Sequence, residues 1–180
     1  LEQLRAASVP LEWSDGKEWK VQGSVCSESL SLRAIRGEGE WFEVIGSLRL
    51  DESRVLSLKR VLELAQDYPG RYVQIQEGDF VRLDQRLRRQ LGELAQLLEP
   101  SQGGYQLSPL AVPALEDIEI EQLHSDEYYA QVLDRFREAA LVRAPIPRAL
   151  QAELRDYQAV GFRWLAQRAH LRAGACLADD

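Results

Sequence analysis

The sequence predicts an α+β fold assembled from short antiparallel strands, hairpins and helices. Two observations carry the prediction. The apolar residues change period along the chain, from two before Leu50 to three and four around Leu58–Leu64 and again around Leu87–Leu98. The resulting order is strands, helix, hairpin, helix, which groups like elements instead of alternating them strictly.

Taken in order, residues 1–36 carry the weakest pattern. Val9-Pro10 and Asp15-Gly16 are turn signals, and the stretch from Trp19 to Arg36 is β-like. Its clearest period-two run sets Leu30, Leu32 and Ala34 against Ser29, Ser31 and Arg33. Gly37-Glu38-Gly39 turns the chain into a partner strand from Trp41 to Leu50. Phe42, Val44, Gly46, Leu48 and Leu50 share one side of it, and Glu43, Ser47 and Arg49 the other. Ser53 or Asp51 then caps a helix whose apolar face is Val55, Leu56, Leu58, Val61, Leu62 and Leu64. Tyr68-Pro69-Gly70 stops that helix. Arg71–Ile75 and Phe80–Leu83 form a hairpin around Glu77-Gly78-Asp79. Asp84 caps a second helix reaching about Leu98, with Leu87, Leu91, Leu94, Leu97 and Leu98 as its stripe. Pro100 and Gly103-Gly104 break the chain, and Tyr105–Leu107 is a further strand. Residues 121–141 are a helix with Tyr128, Tyr129, Val132, Leu133, Phe136 and Ala140 inward and its acids outward.

Composition narrows the function classes. The 180 residues, 45% hydrophobic and 28% charged, suit one ordinary domain plus part of another. No apolar run is long enough for a transmembrane helix, and the start shows no basic-then-apolar secretory pattern, so the expectation is no membrane and a cytoplasmic location. Cys26 and Cys176 give no disulfide framework, and His124 and His170 lack partners at ligand spacing, so no metal site is expected. A net charge of −7 is the wrong sign for a domain whose main task is gripping DNA. The acid is concentrated: Glu116 to Glu138 holds eight acidic residues against Arg135 and Arg137.

Arg143-Ala144-Pro145-Ile146-Pro147 disfavours helix and extends the chain, which divides residues 1–142 from 148–180 by a linker at 143–147. A helix follows from Arg148 or Arg155 to near Arg172, ended by Gly174. Tyr157, Val160, Gly161, Trp164, Leu165 and Arg168 make one face of it, with Trp164 and Leu165 as the buried bulk. Gln158 presents an amide with two donors and an acceptor, the groups that pair with an adenine edge and mismatch guanine. A short apolar strand from Ala175 then leads to Asp179 and Asp180.

The run Leu154, Arg155, Tyr157, Gln158, Gly161, Trp164, Leu165 has the form L-R-x-Y-Q-x-x-G-x-x-W-L, followed by Ala175-Cys176-Leu177-Ala178-Asp179-Asp180. Together these resemble the start of the ATPase core of bacterial Swi/Snf-type DNA translocases of helicase superfamily two. Asp156 stands where that family often has proline. The resemblance implies that residues 148–180 begin a RecA-like α/β lobe, with Arg155, Tyr157 and Gln158 as the adenine-binding Q motif. It further implies that a Walker A loop follows directly. Glu40-Trp41-Phe42, the helix around Leu58–Leu64, Tyr72-Val73 and Leu83-Asp84 resemble, more loosely, the accessory domain upstream of that core.

No G-x-x-x-x-G-K-S/T occurs, and no lysine follows Lys59. ATP and Mg2+ would therefore belong to the intact protein, with no catalytic residue and no tightly bound cofactor within these residues, which alone should not hydrolyse ATP. Double-stranded DNA is the implied partner of the intact motor. The competing expectation is a non-catalytic protein-interaction module, with the acidic helix 121–141 as a docking surface. Arg82, Arg86, Arg88 and Arg89 read either as a phosphate-contacting patch or as a solvated helix face balanced by Asp79, Asp84 and Glu93. Trp13, Trp19 and Trp41 read either as a base-stacking platform or as core and hairpin packing.

Overall fold

A computed structural model describes residues 19–68 and 70–176. Within them the chain is mixed α+β, with five α-helices and two mixed sheets. The Val9-Pro10 and Asp15-Gly16 turns, Trp13, Pro69 and Leu177 to Asp180 lie outside the described residues.

The larger sheet grows from the alternation read in the sequence. β2 (Leu30–Arg36) pairs antiparallel with β3 (Phe42–Arg49), in a register that sets Leu32 opposite Gly46 and Ala34 opposite Val44. Leu30, Leu32, Ala34, Phe42, Val44 and Leu48 are at most 1% exposed, so one face of this pair is core. Gly37 N–H donates to the Trp41 carbonyl at 2.8 Å and closes the turn, with Gly39 in the left-handed region at φ +66°.

The other edge of β3 is shared. β4 (Val55–Ser57) takes Ser47–Arg49, and β8 (Gly104–Leu107), itself paired with β7 (Glu99–Ser101), takes Phe42–Val44. Beyond β2 lies β9 (Gln122–Ser125), parallel to it. The smaller sheet places β6 (Asp79–Leu83) between β5 (Tyr72–Gln76), antiparallel, and β1 (Lys20–Val25), parallel. The expected hairpin turns at Gly78, φ +81°.

The helices cover these sheets. α1 (Leu58–Asp67) buries Leu58, Val61, Leu62 and Leu64, and α2 (Gln85–Leu97) buries Leu87, Leu91 and Leu94. Asp84 caps α2 as expected, its carboxylate accepting from Leu87 N–H at 2.6 Å. α3 (Val112–Asp117) and α4 (Glu127–Leu141) complete the layer, with Tyr129 and Val132 joining a hydrophobic core that reaches both sheets. Each fully buried leucine there contributes about 1.5–3 kcal/mol. α5 (Asp156–His170) stands apart: it buries no residue and leans on α4, where His170 lies 3.4 Å from Glu138. No described helix is long and apolar enough to cross a membrane.

Four expectations are corrected. The helix read from Asp51 or Ser53 begins at Leu58, capped by Ser57. Val55 to Ser57 become a strand because the end of β3 offers them a backbone edge, and Asp51 instead ties a turn through the N–H groups of Ser53 and Arg54. The helix read over 121–141 begins at Glu127, since residues 122–125 satisfy the open edge of β2, and its last inward alanine is Ala139, not Ala140. The last helix keeps the expected start, with Arg155 as its N-cap, and the expected end near Arg172, but Gly174 does not end it. Arg172 takes the left-handed position, φ +54°, with Arg172 N–H on the Ala169 carbonyl and Ala173 N–H on Arg168, the paired bonds of a Schellman motif. Ala175 and Cys176 form no strand; the remainder of that predicted strand lies outside the described residues.

Candidate functional site

The predicted nucleotide-facing residues occupy the first turn of α5. Arg155 is its N-cap residue, with an extended backbone at φ −64°, ψ 157°. An arginine side chain cannot accept a hydrogen bond, so the first turn is closed from the other side: Gln158 Oε1 accepts from Arg155 N–H at 3.0 Å. That contact fixes the Gln158 amide at the mouth of the helix, with its NH2 group and one oxygen lone pair left for another partner. Tyr157, 52% exposed, stands beside it. The structure therefore brings Arg155, Tyr157 and Gln158 together at one exposed helix end.

The apolar face behind them is not covered as the sequence suggested. Tyr157, Val160, Trp164 and Leu165 are all exposed, Val160 at 61%. Trp164 is screened on one side by the Arg168 guanidinium, 5.3 Å from the ring centroid. The face is assembled but unburied, because α4 offers α5 only its outer flank.

A second feature lies across the molecule, where α1, α2 and the end of β6 diverge around a cleft of ≈ 680 Å³. Among the described residues, Arg71, Arg82, Arg88 and Arg89 line it, against one acid, Asp84. The arginine cluster read from the sequence is thus split and rebuilt. Arg86 turns to the opposite flank of α2, where Glu121 takes it at 2.8 Å and the Glu119 carboxylate lies at 4.0 Å. Arg71 replaces it: the β5–β6 ladder sets the neighbouring Tyr72 opposite Arg82. No sequence signal separates Arg86 from its neighbours except helical phase, and none marks Arg71 without the strand register.

The other sequence candidates disperse. Trp19 packs on Phe80 of the small sheet, centroids 5.3 Å apart, whereas Trp41 precedes β3 in the large sheet. Trp19 and Trp41 make no shared platform. On the acidic segment, Asp126 is spent internally: its carboxylate accepts from Tyr129 N–H at 2.9 Å and from Arg36 N–H at 2.6 Å, capping α4 and fastening it to β2. Glu116 accepts from the buried Tyr129 hydroxyl at 2.9 Å, and burial followed by that bond pushes the phenol well above its ordinary range. Glu127, Asp134 and Glu138 remain exposed on α4. Among the described residues no cluster of histidine, cysteine and carboxylate groups is arranged to hold a metal ion.

One side chain missed by sequence reading is Gln90. It is 1% exposed in α2, and its NH2 group donates to the carbonyls of Ile118 at 3.3 Å and Glu119 at 3.1 Å. It pins the turn in which Glu119 adopts φ +57°. A glutamine among leucines carries no sequence mark of burial. No protein-family profile, curated protein or solved structure matches the chain.

Proposed function

We propose that this chain is the accessory domain (residues 1–142) and, beyond the 143–147 linker, the opening of a RecA-like lobe (148–180) of an ATP-driven double-stranded-DNA translocase of the Swi/Snf type. The observation that supports this most is the setting of Gln158, whose amide is held by Arg155 N–H at 3.0 Å in the first turn of an exposed helix. An adenine edge is met by both halves of such an amide, Nε2 donating to N7 and Oε1 accepting from the exocyclic amine. Guanine places a carbonyl where the amine would be and is disfavoured. Tyr157 supplies an adjacent aromatic surface, and Arg155 a positive charge on the same turn.

These residues fit an adenine and stop there. A triphosphate and its Mg2+ need a lysine, a hydroxyl and backbone N–H groups from a phosphate loop, and no such motif is present in the 180 residues. Binding and base choice are the work of this segment; hydrolysis belongs to downstream residues of the longer protein. The uncovered face of α5 accords with that, since a helix of a parallel-sheet lobe needs its sheet to bury Trp164 and Leu165.

That same face supports a second reading, in which Val160, Trp164 and Leu165 dock a protein partner and Gln158 merely closes the helix. The coding sequence after residue 180 separates the two. The translocase reading expects a Gly-Lys-Thr/Ser loop at once; a continuation without one removes it.

A further inference from the structure

We infer that the cleft lined by Arg71, Arg82, Arg88 and Arg89 is a binding site for the phosphodiester backbone of nucleic acid. The sequence alone argued against such a site, because the chain carries −7 overall. The fold overrides that average by sorting the charge. Arg86, which faces Glu121 and Glu119, is removed to the far flank of α2, and Arg71 is brought in from just before β5. The result, among the described residues, is four guanidiniums and a single carboxylate around ≈ 680 Å³. That carboxylate, Asp84, is committed to Leu87 N–H at 2.6 Å. Arg82 places Nε on the Ser24 hydroxyl at 3.4 Å, and Arg89 lies 3.7 Å from Glu93, a half-exposed pair that a phosphate can replace.

The shape favours a chain over a small anion. The arginines are spread along the chain, Arg71 just before β5, Arg82 in β6 and Arg88 and Arg89 in α2, and small or apolar groups, Ala65, Gly92 and Ala95 among them, also line the cleft. Sugars pack on such small groups while phosphates meet arginines spread along a cleft, whereas a lone phosphate is gripped by arginines converging on one point. Gly92 is informative. It lies inside α2, where glycine weakens a helix, yet a Cβ built there meets nothing within 4 Å. No packing among the described residues requires a glycine, but close approach of a ligand backbone would. Fields are screened over about 8 Å at physiological ionic strength, so the acids elsewhere on the chain do not cancel a contact made in the cleft. None of these features of the cleft depends on the translocase reading.

The test is fluorescence anisotropy with a labelled random-sequence DNA duplex across a salt series. Three neutralised phosphates, at Arg71, Arg82 and Arg89, predict a slope of log K against log salt of about −2.7, and each of Arg71→Gln, Arg82→Gln and Arg89→Gln should flatten it by about 0.9. Arg137→Gln, on α4, should change nothing. Gly92→Ala should weaken binding severalfold while the protein melts no lower than the parent, which separates ligand approach from folding. Circular dichroism of each variant checks the fold. Equal effects of the cleft and control variants, or unaltered slopes, overturn the proposal. So does displacement of the duplex by tripolyphosphate, or by polyglutamate, as readily as by unlabelled DNA at equal charge, which would assign the cleft to small polyphosphates or acidic protein segments.

Discussion

Adding one methyl group at either of two glycines should move the stability of this protein in opposite directions. Gly46 lies in the middle of β3, opposite Leu32. A Cβ there would overlap the Leu32 Cδ2 methyl and sit 2.9 Å from the Ser31 carbonyl and 3.3 Å from Leu58 Cβ. Leu32 is 1% exposed, and the Ser31 carbonyl is backbone, so neither yields without disturbing the sheet or α1. Overpacking of this kind costs about 1–3 kcal/mol, against about 0.4–1 kcal/mol gained by restricting the unfolded chain. Gly46→Ala should therefore lose about 1.3 kcal/mol net, or about 3–5 °C in Tm for a domain of this size. Gly92→Ala meets nothing within 4 Å and should gain up to about 1 kcal/mol from helix propensity. Urea unfolding followed by far-UV circular dichroism, with a common m-value, measures both. If Gly46→Ala is as stable as the parent, the close approach of β2, β3 and α1 is wrong, and with it the layer that carries the core.

Four further outcomes are expected. Asp51 is held at a pKa of about 2 by the Ser53 N–H first and the Arg54 side chain second, so the turn it ties should be complete above the usual value of 3.8 and released as pH falls towards 2; a carboxyl NMR titration with a midpoint near 3.8 contradicts this. Tyr129 should stay un-ionised in alkali until the protein unfolds, and Tyr129→Phe should cost about 0.5–1.5 kcal/mol by removing the bond to Glu116; a native-state phenolate absorbance step that shrinks by one tyrosine in Tyr129→Phe would refute the burial. Asp126→Ala removes acceptors from both Tyr129 N–H and Arg36 N–H and should cost about 1–3 kcal/mol in urea unfolding, with Asn restoring part of it. Arg172→Gly relieves φ +54° at the end of α5 and should raise helix protection in hydrogen exchange by about 1 kcal/mol; unchanged or faster exchange would contradict the Schellman ending.

What the sequence disclosed, and what it hid, divides along physical lines. β2 and β3 are legible because one face is core and the other meets water, so Leu30, Leu32 and Ala34 alternate with polar residues. The cap at Asp84 and the turn at Gly78 are local chemistry and are read directly. Val55 and Leu56 mislead because a strand of three residues and the first turn of a helix demand the same apolar pair. Residues 122–125 mislead because their partner, β2, lies far back in the chain, and pairing across that distance leaves no periodic trace. Pro100 hides β7 for a related reason: proline weakens a strand, yet an edge strand tolerates it.

The candidate sites obey the same rule. Arg155, Tyr157 and Gln158 are near neighbours in sequence, and the helix keeps them together. The arginine cleft depends on strand register and helical phase, so the sequence located its neighbourhood while naming one wrong member, Arg86, and omitting Arg71. The apolar face of α5 was legible as a face, but not its exposure, because burial depends on what packs against it.

The base preference of the full-length protein tests the adenine assignment most directly. Glutamate at 158 keeps an acceptor for Arg155 N–H, and so the helix cap, while removing the donor that the proposal sets against adenine N7. The proposal predicts that Gln158→Glu raises KM for ATP by about 5- to 150-fold and leaves KM for GTP unchanged, as expected when about 1–3 kcal/mol of base recognition is lost. An ATP preference identical in both proteins would contradict it.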